Sequence, residues 1–175
     1  MKCITMFLFI ILAVFLGSWQ LIYVDDSLVA TPLKWLEEWT NVPLKLEGFI
    51  PVIVCDDALE FSELTHFQGW IAGTLVNGVP VIQNRRFLES RGMWYQVLVH
   101  EILHYKLRKL NLEPCIEEGL VLLCEELFFG KPSTLRLSSW YNFTEYGLWQ
   151  SKCLEYVRKI FREGEESVPK AISAP

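Results

Sequence analysis

The chain has 175 residues and a formal net charge of −5, with 51% hydrophobic and 14% aromatic residues. That length suits a single domain, and so apolar a composition excludes a disordered or low-complexity polypeptide. Acidic residues outnumber Lys and Arg by 21 to 16, and no basic run exists to neutralise phosphates, so a nucleic-acid partner is excluded.

From Ile4 to Val24 there is no charged residue. A helix of that length spans roughly 30 Å, the hydrocarbon thickness of a bilayer. Residues 1–24 therefore read as a transmembrane anchor, with Trp19 and Tyr23 near one interface. Lys2 before it and Asp25-Asp26 after it put the N-terminus in the cytoplasm and the domain on the extracytoplasmic side. A cleaved signal peptide, giving a secreted protein, is the rival reading. It lacks a small-x-small site, because bulky Phe15 and Leu16 precede Gly17 and Ser18. Residues 25–163 then form one domain, and the polar end, residues 164–175, reads as a flexible tail.

Along the domain, Thr31-Pro32 reads as the N-cap and first residue of a short helix to about Trp39. Phe49 to Cys55 has the composition of a strand, which Pro51 assigns to an edge or a start. Asp56 or Asp57 caps a second short helix toward Phe67. Two β-prone runs, Trp70–Val76 and Val79–Gln83, flank Asn77-Gly78, the strongest hairpin signal in a sequence. A long helix follows from about Ser90 to Leu110, then a break at Asn111–Pro114. A further helix runs from Cys115 to Phe129, stopped by Gly130-Lys131-Pro132. A last one spans Phe143 to Phe161 behind Asn142 as cap. This order predicts an α+β fold, a short sheet with segregated helices, behind one N-terminal transmembrane helix.

The stretch His100-Glu101-Ile102-Leu103-His104 carries the chemistry, and it holds two of the three histidines in the chain. On a helix, residues four apart share a face, so both imidazoles can reach one metal ion such as Zn²⁺. Glu101 is offset from them, placed to act on a water at the metal rather than on the metal itself. A catalytic zinc needs a third protein ligand and an open position. The next predicted helix offers Cys115, Glu117 and Glu118 in Pro114-Cys115-Ile116-Glu117-Glu118-Gly119-Leu120.

From about Trp70 to Phe129 the chain resembles the gluzincin branch of zinc metallopeptidases, and in particular the small minigluzincins. In that branch the two-His helix is followed by a helix with Glu-Gly-Leu, whose Glu is the third ligand. The resemblance maps that role onto Glu118, with Glu117 as competitor and Cys115 outside the pattern. It implies a small zincin-like domain with an active-site helix and a glutamate helix. It also implies a cleft edged by Trp70–Leu75 or Val79–Ile82, on which an extended peptide or protein substrate pairs. Leu122 stands where some members carry an Asp that supports a ligand His, and Val121 where an Ala is common, so the residues behind the ligands are not identified.

The resemblance implies a zinc-dependent peptidase in which zinc acidifies a water. Glu101 takes its proton and passes it to the leaving nitrogen. Tyr146 and Tyr141 are the nearest candidates for the neutral donor to the oxyanion, and packing is the alternative role of each. A chain this short leaves few residues for cleft walls, which implies either few substrates or a partner that completes the cleft. Hydrolysis of a non-peptide amide is a neighbouring reading. A non-catalytic zinc-binding membrane module, closed by a fourth ligand such as Cys115, Glu117 or His66, and a metal-free interaction protein are readings of other classes. Four cysteines outside the N-terminal run, Cys55, Cys115, Cys124 and Cys153, permit two disulfides in three pairings or four free thiols. Cys115 and Cys124 should not pair with each other, nine apart on one helix.

Overall fold

A computed structural model describes residues 18–67, 71–130 and 145–163. In chain order these form β1 (Gln20–Asp25), a 3-10 turn (Asp26–Val29), α1 (Ala30–Thr40), β2 (Phe49–Val54), α2 (Ala58–Thr65), β3 (Gly73–Val76) and β4 (Val79–Ile82). They continue with α3 (Arg85–Ser90), α4 (Trp94–Leu107), a second 3-10 turn (Arg108–Leu110), α5 (Pro114–Phe129) and α6 (Glu145–Glu163). The strands make one sheet in the order β1-β2-β4-β3. β1 runs antiparallel to β2, from Gln20↔Val54 to Asp25↔Phe49, and β3 and β4 are an antiparallel hairpin. β2 and β4 are parallel through Ile53↔Val81 and Val54↔Ile82.

The N-terminus corrects the expected architecture. The proposed transmembrane helix over residues 1–24 does not exist as read, because Gln20–Asp25 is a strand hydrogen-bonded into the sheet. Among the described residues no helix is long and apolar enough to cross a membrane; residues 1–17 lie outside them. The expected α+β domain behind an anchor is therefore replaced by a mixed α/β domain that takes in the end of the supposed anchor. The physical reason is that an uncharged run has no built-in period. In β1, half-buried Ile22 and Val24 alternate with exposed Leu21 and Tyr23, the period of a strand.

Pro51, expected at an edge or at the start of a strand, lies third in β2, which is interior, but ahead of the part that pairs with β4. The Cys55 N–H donates to Ile82 O at 2.9 Å, so by the two-residue alternation of a strand the nitrogens of Ile53 and Pro51 also face β4. Pairing with β4 begins only at Ile53, and Pro51 sits where no donor is required. Pro80 faces β2 from the other side by the same alternation, which explains why the parallel ladder is so short. The hairpin turns at Asn77 (φ 50°) and Gly78 (φ 77°), both left-handed as the tight two-residue turn demands.

The expected helix from about Ser90 to Leu110 starts later, at Trp94, and its last turn, Arg108–Leu110, is 3-10, while a separate short helix precedes it. α3 ends at Ser90, Gly92 takes φ 65°, and α4 starts at Trp94. The first helix also starts earlier than Thr31, through a 3-10 turn whose cap is Asp25 (Ser27 N–H to Oδ1, 2.9 Å). α2 is capped as expected by Asp57, which accepts from the Glu60 N–H at 2.8 Å. α5 opens with Glu113 as cap and Pro114 in its first turn. Residues from Gly119 through Glu125 are all buried, so α5 is the central helix of the core. The Asn142 cap, Phe143 and the tail lie outside the described residues.

The core fills the space between Ile50, Val52, Val54 and Ile82 of the sheet and the buried faces of α4 and α5, with α1 and α6 packed around them. α2 covers the other face of the sheet, where Phe61 meets Val81 and Cys55. Trp35 and Trp39 of α1 stack on Phe161 of α6, with ring centroids 5.0 and 4.5 Å apart. Of the cysteines, Cys115 and Cys153 form a disulfide with Cα atoms 5.0 Å apart, while Cys55 and Cys124 are free and buried. Neither two bridges nor four thiols is the outcome.

One buried ion pair ties α4 to the start of the domain. Lys106 and Asp26 are 2% and 1% exposed. Lys106 Nζ donates to Asp26 Oδ2 and, at 3.2 Å, to Lys45 O. Asp26 also accepts the backbone N–H groups of Glu47 (2.6 Å) and Gly48 (3.1 Å). Burial would raise the Asp26 carboxyl, but Lys106 and the two N–H donors outweigh it and hold the group below its usual range. A depressed carboxylate contributes stability above its unfolded value, near 3.9, and loses it as pH falls through the folded value. Removing one partner leaves the other buried and unpaired. Lys106→Met is therefore expected to cost about 3–5 kcal/mol in urea unfolding at pH 7. The deficit should shrink as pH falls toward about 4, because the unpaired carboxyl, raised by burial, takes a proton above its ordinary value.

Candidate metal centre

His100 and His104 lie one turn apart on α4, and Glu118 faces them from α5. Their donor atoms all lie within 4.8 Å of one another, so these three residues can hold a metal ion. His100 and Glu118 are buried and His104 is half-buried. The two Nε2 atoms are 3.2 Å apart, and Glu118 Oε2 is 3.2 Å from His104 Nε2. Glu118 Oε1 lies 3.8 Å from His100 Nε2. Donors about 2.0–2.1 Å from a tetrahedral ion are separated by roughly 3.3 Å, so the two 3.2 Å separations are close to such an edge, while the other oxygen of Glu118 stands farther from His100.

Carboxylates behind the imidazoles set their orientation. His104 Nδ1 is 2.7 Å from Glu117 Oε1, and His100 Nδ1 is 3.4 Å from Glu125 Oε2, a longer electrostatic contact. A proton on each Nδ1, held toward its carboxylate, leaves both Nε2 lone pairs aimed at the same point. Two lone pairs 3.2 Å apart repel unless a cation or a proton sits between them. Around the two rings stand four carboxylates, Glu101, Glu117, Glu118 and Glu125, so the cluster is a buried place for positive charge.

The acidities express this balance. Burial would lower His104, but Glu117 and Glu118 outweigh it and raise it to about 10. His100 is also raised, against its burial, by Glu125 and Glu118. Burial would raise Glu118, yet His104, His100 and Gln150 hold it down at about 2. Glu101 goes the other way. Burial raises it to about 7, against the pull of His100 and His104 and with repulsion from Glu118 and Glu125 added.

Glu101 is fixed from the sheet side. A Cβ built on Gly73 would lie 2.7 Å from Glu101 Oε1 and 2.8 Å from its Cγ. The first residue of β3 thus has to be glycine for the strand to lie against Glu101. β3 is one of the two outer strands of the sheet and β4 is interior, so of the two candidate edges only the segment of β3 lies at a margin of the sheet. Trp70 lies outside the described residues.

The rival ligands are placed elsewhere. Glu117 binds the far nitrogen of His104 and acts as its support, and Cys115 is held in the disulfide. His66 ends α2 in a left-handed conformation (φ 60°) and is not one of the three grouped donors. Tyr146 is half-buried on the first turn of α6, its ring 5.4 Å from that of Trp149. It stands one turn before Gln150, on the same helix face. Tyr141 lies outside the described residues.

Two contributors were not identified from the sequence. Glu125 is seven residues after Glu118, two helical turns on and so on the same face. Its Oε2 lies 3.4 Å from His100 Nδ1. An acidic residue inside the apolar run Leu122-Leu123-Cys124-Glu125 was its signal. Gln150, whose Nε2 donates to Glu118 Oε1 at 2.5 Å, had none, because α6 reaches the site only through tertiary packing. No protein-family model, curated protein or solved structure matches the chain.

Proposed function

We propose that the protein is a zinc-dependent peptidase of gluzincin type, with His100, His104 and Glu118 as metal ligands and Glu101 as general base. The observation that carries this reading is the paired arrangement of the imidazoles: both Nδ1 atoms face carboxylates, while His104 Nε2 lies 3.2 Å from both His100 Nε2 and Glu118 Oε2, and all three residues have donor atoms within 4.8 Å of one another. Two imidazole nitrogens and one carboxylate oxygen are a donor set that suits zinc. Bound there, zinc would supply Lewis-acid polarisation of a carbonyl and acidification of a water.

The chain's own residues supply the rest. Glu101 is buried beside the donors without being one of them, and a carboxyl poised near neutrality can take a proton and return it. β3 is an outer strand of the sheet among the described residues and would offer backbone groups to an extended peptide, and Gly73 lets it run against Glu101. The Cys115–Cys153 disulfide supports a location in an oxidising, extracytoplasmic compartment. A non-catalytic zinc module would need a fourth protein ligand, and the engagement of Cys115 and Glu117 elsewhere favours an open fourth position.

The test is metal content. The full chain is expected to hold about one zinc, as a single three-ligand site would, and His104→Ala and Glu118→Ala should each lose most of it. No zinc in the folded parent under metal-replete conditions would overturn the reading.

A further inference from the structure

Glu118 presents its two oxygens to different partners. Oε2 lies 3.2 Å from His104 Nε2, whereas Oε1 stands farther from the imidazoles, 3.8 Å from His100 Nε2, and accepts a hydrogen bond from Gln150 Nε2 of α6. Both side chains are 3% exposed, so neither contact is shared with bulk solvent. α6 is held against α5 at this level by two further features. Cys153, one turn beyond Gln150, is bonded to Cys115, which lies one turn before Glu118. Between them Gly119 leaves no room for a side chain, since a Cβ there would lie 2.5 Å from Cys153 O.

We propose that Gln150 is the positioning residue of the metal centre, and that the Cys115–Cys153 disulfide holds it in place. The inference rests on the metal-site reading and adds a determinant outside the two motif helices. By engaging Oε1, Gln150 would bias Glu118 toward offering the ion Oε2, the oxygen nearer an imidazole. Being neutral, it donates a hydrogen bond without contributing a cation that would compete with the metal, as Lys or Arg would. Without that hydrogen bond the carboxylate would lose its fixed orientation, and either oxygen would be able to approach the ion. The site is thus assembled from three helices, and the disulfide closes the third one onto it.

The experiment titrates the full-length chain with Zn²⁺ and with Co²⁺, whose visible absorption is more intense in four-coordinate than in five-coordinate sites. Gln150→Met keeps the side-chain volume and removes the donor. It is expected to weaken metal binding by about 10–100-fold, the usual effect of losing a residue that orients a ligand, and to weaken the cobalt bands. The double variant Cys115→Ala/Cys153→Ala leaves Gln150 unaltered and is expected to shift both readouts in the same direction. It also carries the test alone if the methionine variant does not fold. A purely structural role would lower thermal stability without changing the cobalt spectrum. Parent-like affinity and spectrum in a folded Gln150→Met variant would overturn the proposal. A parent that binds neither metal would overturn the metal-site reading itself, and this inference with it.

Discussion

Glu101→Gln is expected to lower peptide hydrolysis by at least about 10²–10⁴-fold while zinc content stays at the parent level. The two readouts separate because Glu101 stands beside the ligand group without belonging to it. Glutamine has the same shape, so the contact with Gly73 survives, and with it the approach of β3 to the site. What is lost is the capacity to take and return a proton, for which a carboxyl raised to about 7 by burial is suited at neutral pH. The measurement is turnover of a quenched-fluorescent peptide mixture by parent and variant at matched zinc occupancy. Undiminished turnover with zinc bound would remove Glu101 from the mechanism.

Gly119→Ala should be the most damaging small substitution in the core. In an unconstrained helix interior, alanine is better than glycine by about 1 kcal/mol. Here the added Cβ would lie 2.5 Å from both Cys153 O and Val157 Cγ2, and 2.9 Å from Cys153 C. Two of those atoms belong to the α6 backbone, which cannot swing aside as the end of a side chain can. Overpacking of this kind costs about 1–3 kcal/mol and sometimes more. With contacts this close the upper end of that range or beyond applies, and a net loss of about 2 kcal/mol remains after the propensity gain. That lowers the melting temperature by about 4–8 °C for a chain of this size. The displacement also draws Gln150 away from Glu118, so added zinc should stabilise the variant less than the parent. Thermal unfolding with and without chelator checks both effects. A variant that melts higher than the parent would show that α5 and α6 tolerate the extra methyl.

The parts of the fold visible in the sequence are those in which a local rule acts alone. Asn77-Gly78 marks its hairpin because only certain residues accept two consecutive left-handed conformations. Asp57 announces α2 because a side-chain oxygen must meet a free N–H at the start of a helix. Where two local rules compete, the sequence misleads. The uncharged run through Val24 satisfies a membrane span, and its last residues satisfy a strand equally well. The decision comes from β2, which offers six paired residues to Gln20–Asp25. Likewise Pro51 suggested an edge or a start, and only the late start of the β2–β4 ladder lets it sit inside the sheet.

The metal centre divides in the same way. By itself the sequence determined that His100 and His104 share one face with Glu101 beside them, since helical spacing sets this without reference to the rest of the chain. Glu118 came from a resemblance to a peptidase family, and the packing of α5 on α4 brings its carboxylate to the imidazoles. Only the tertiary structure decided that Glu117 and Glu125 support the imidazoles, that Gln150 engages Glu118, that Cys115 pairs with Cys153, and that Gly73 makes way for Glu101. Each of these depends on how closely two elements approach and at what register. Those distances are set by packing across the core, and no spacing along the chain encodes them.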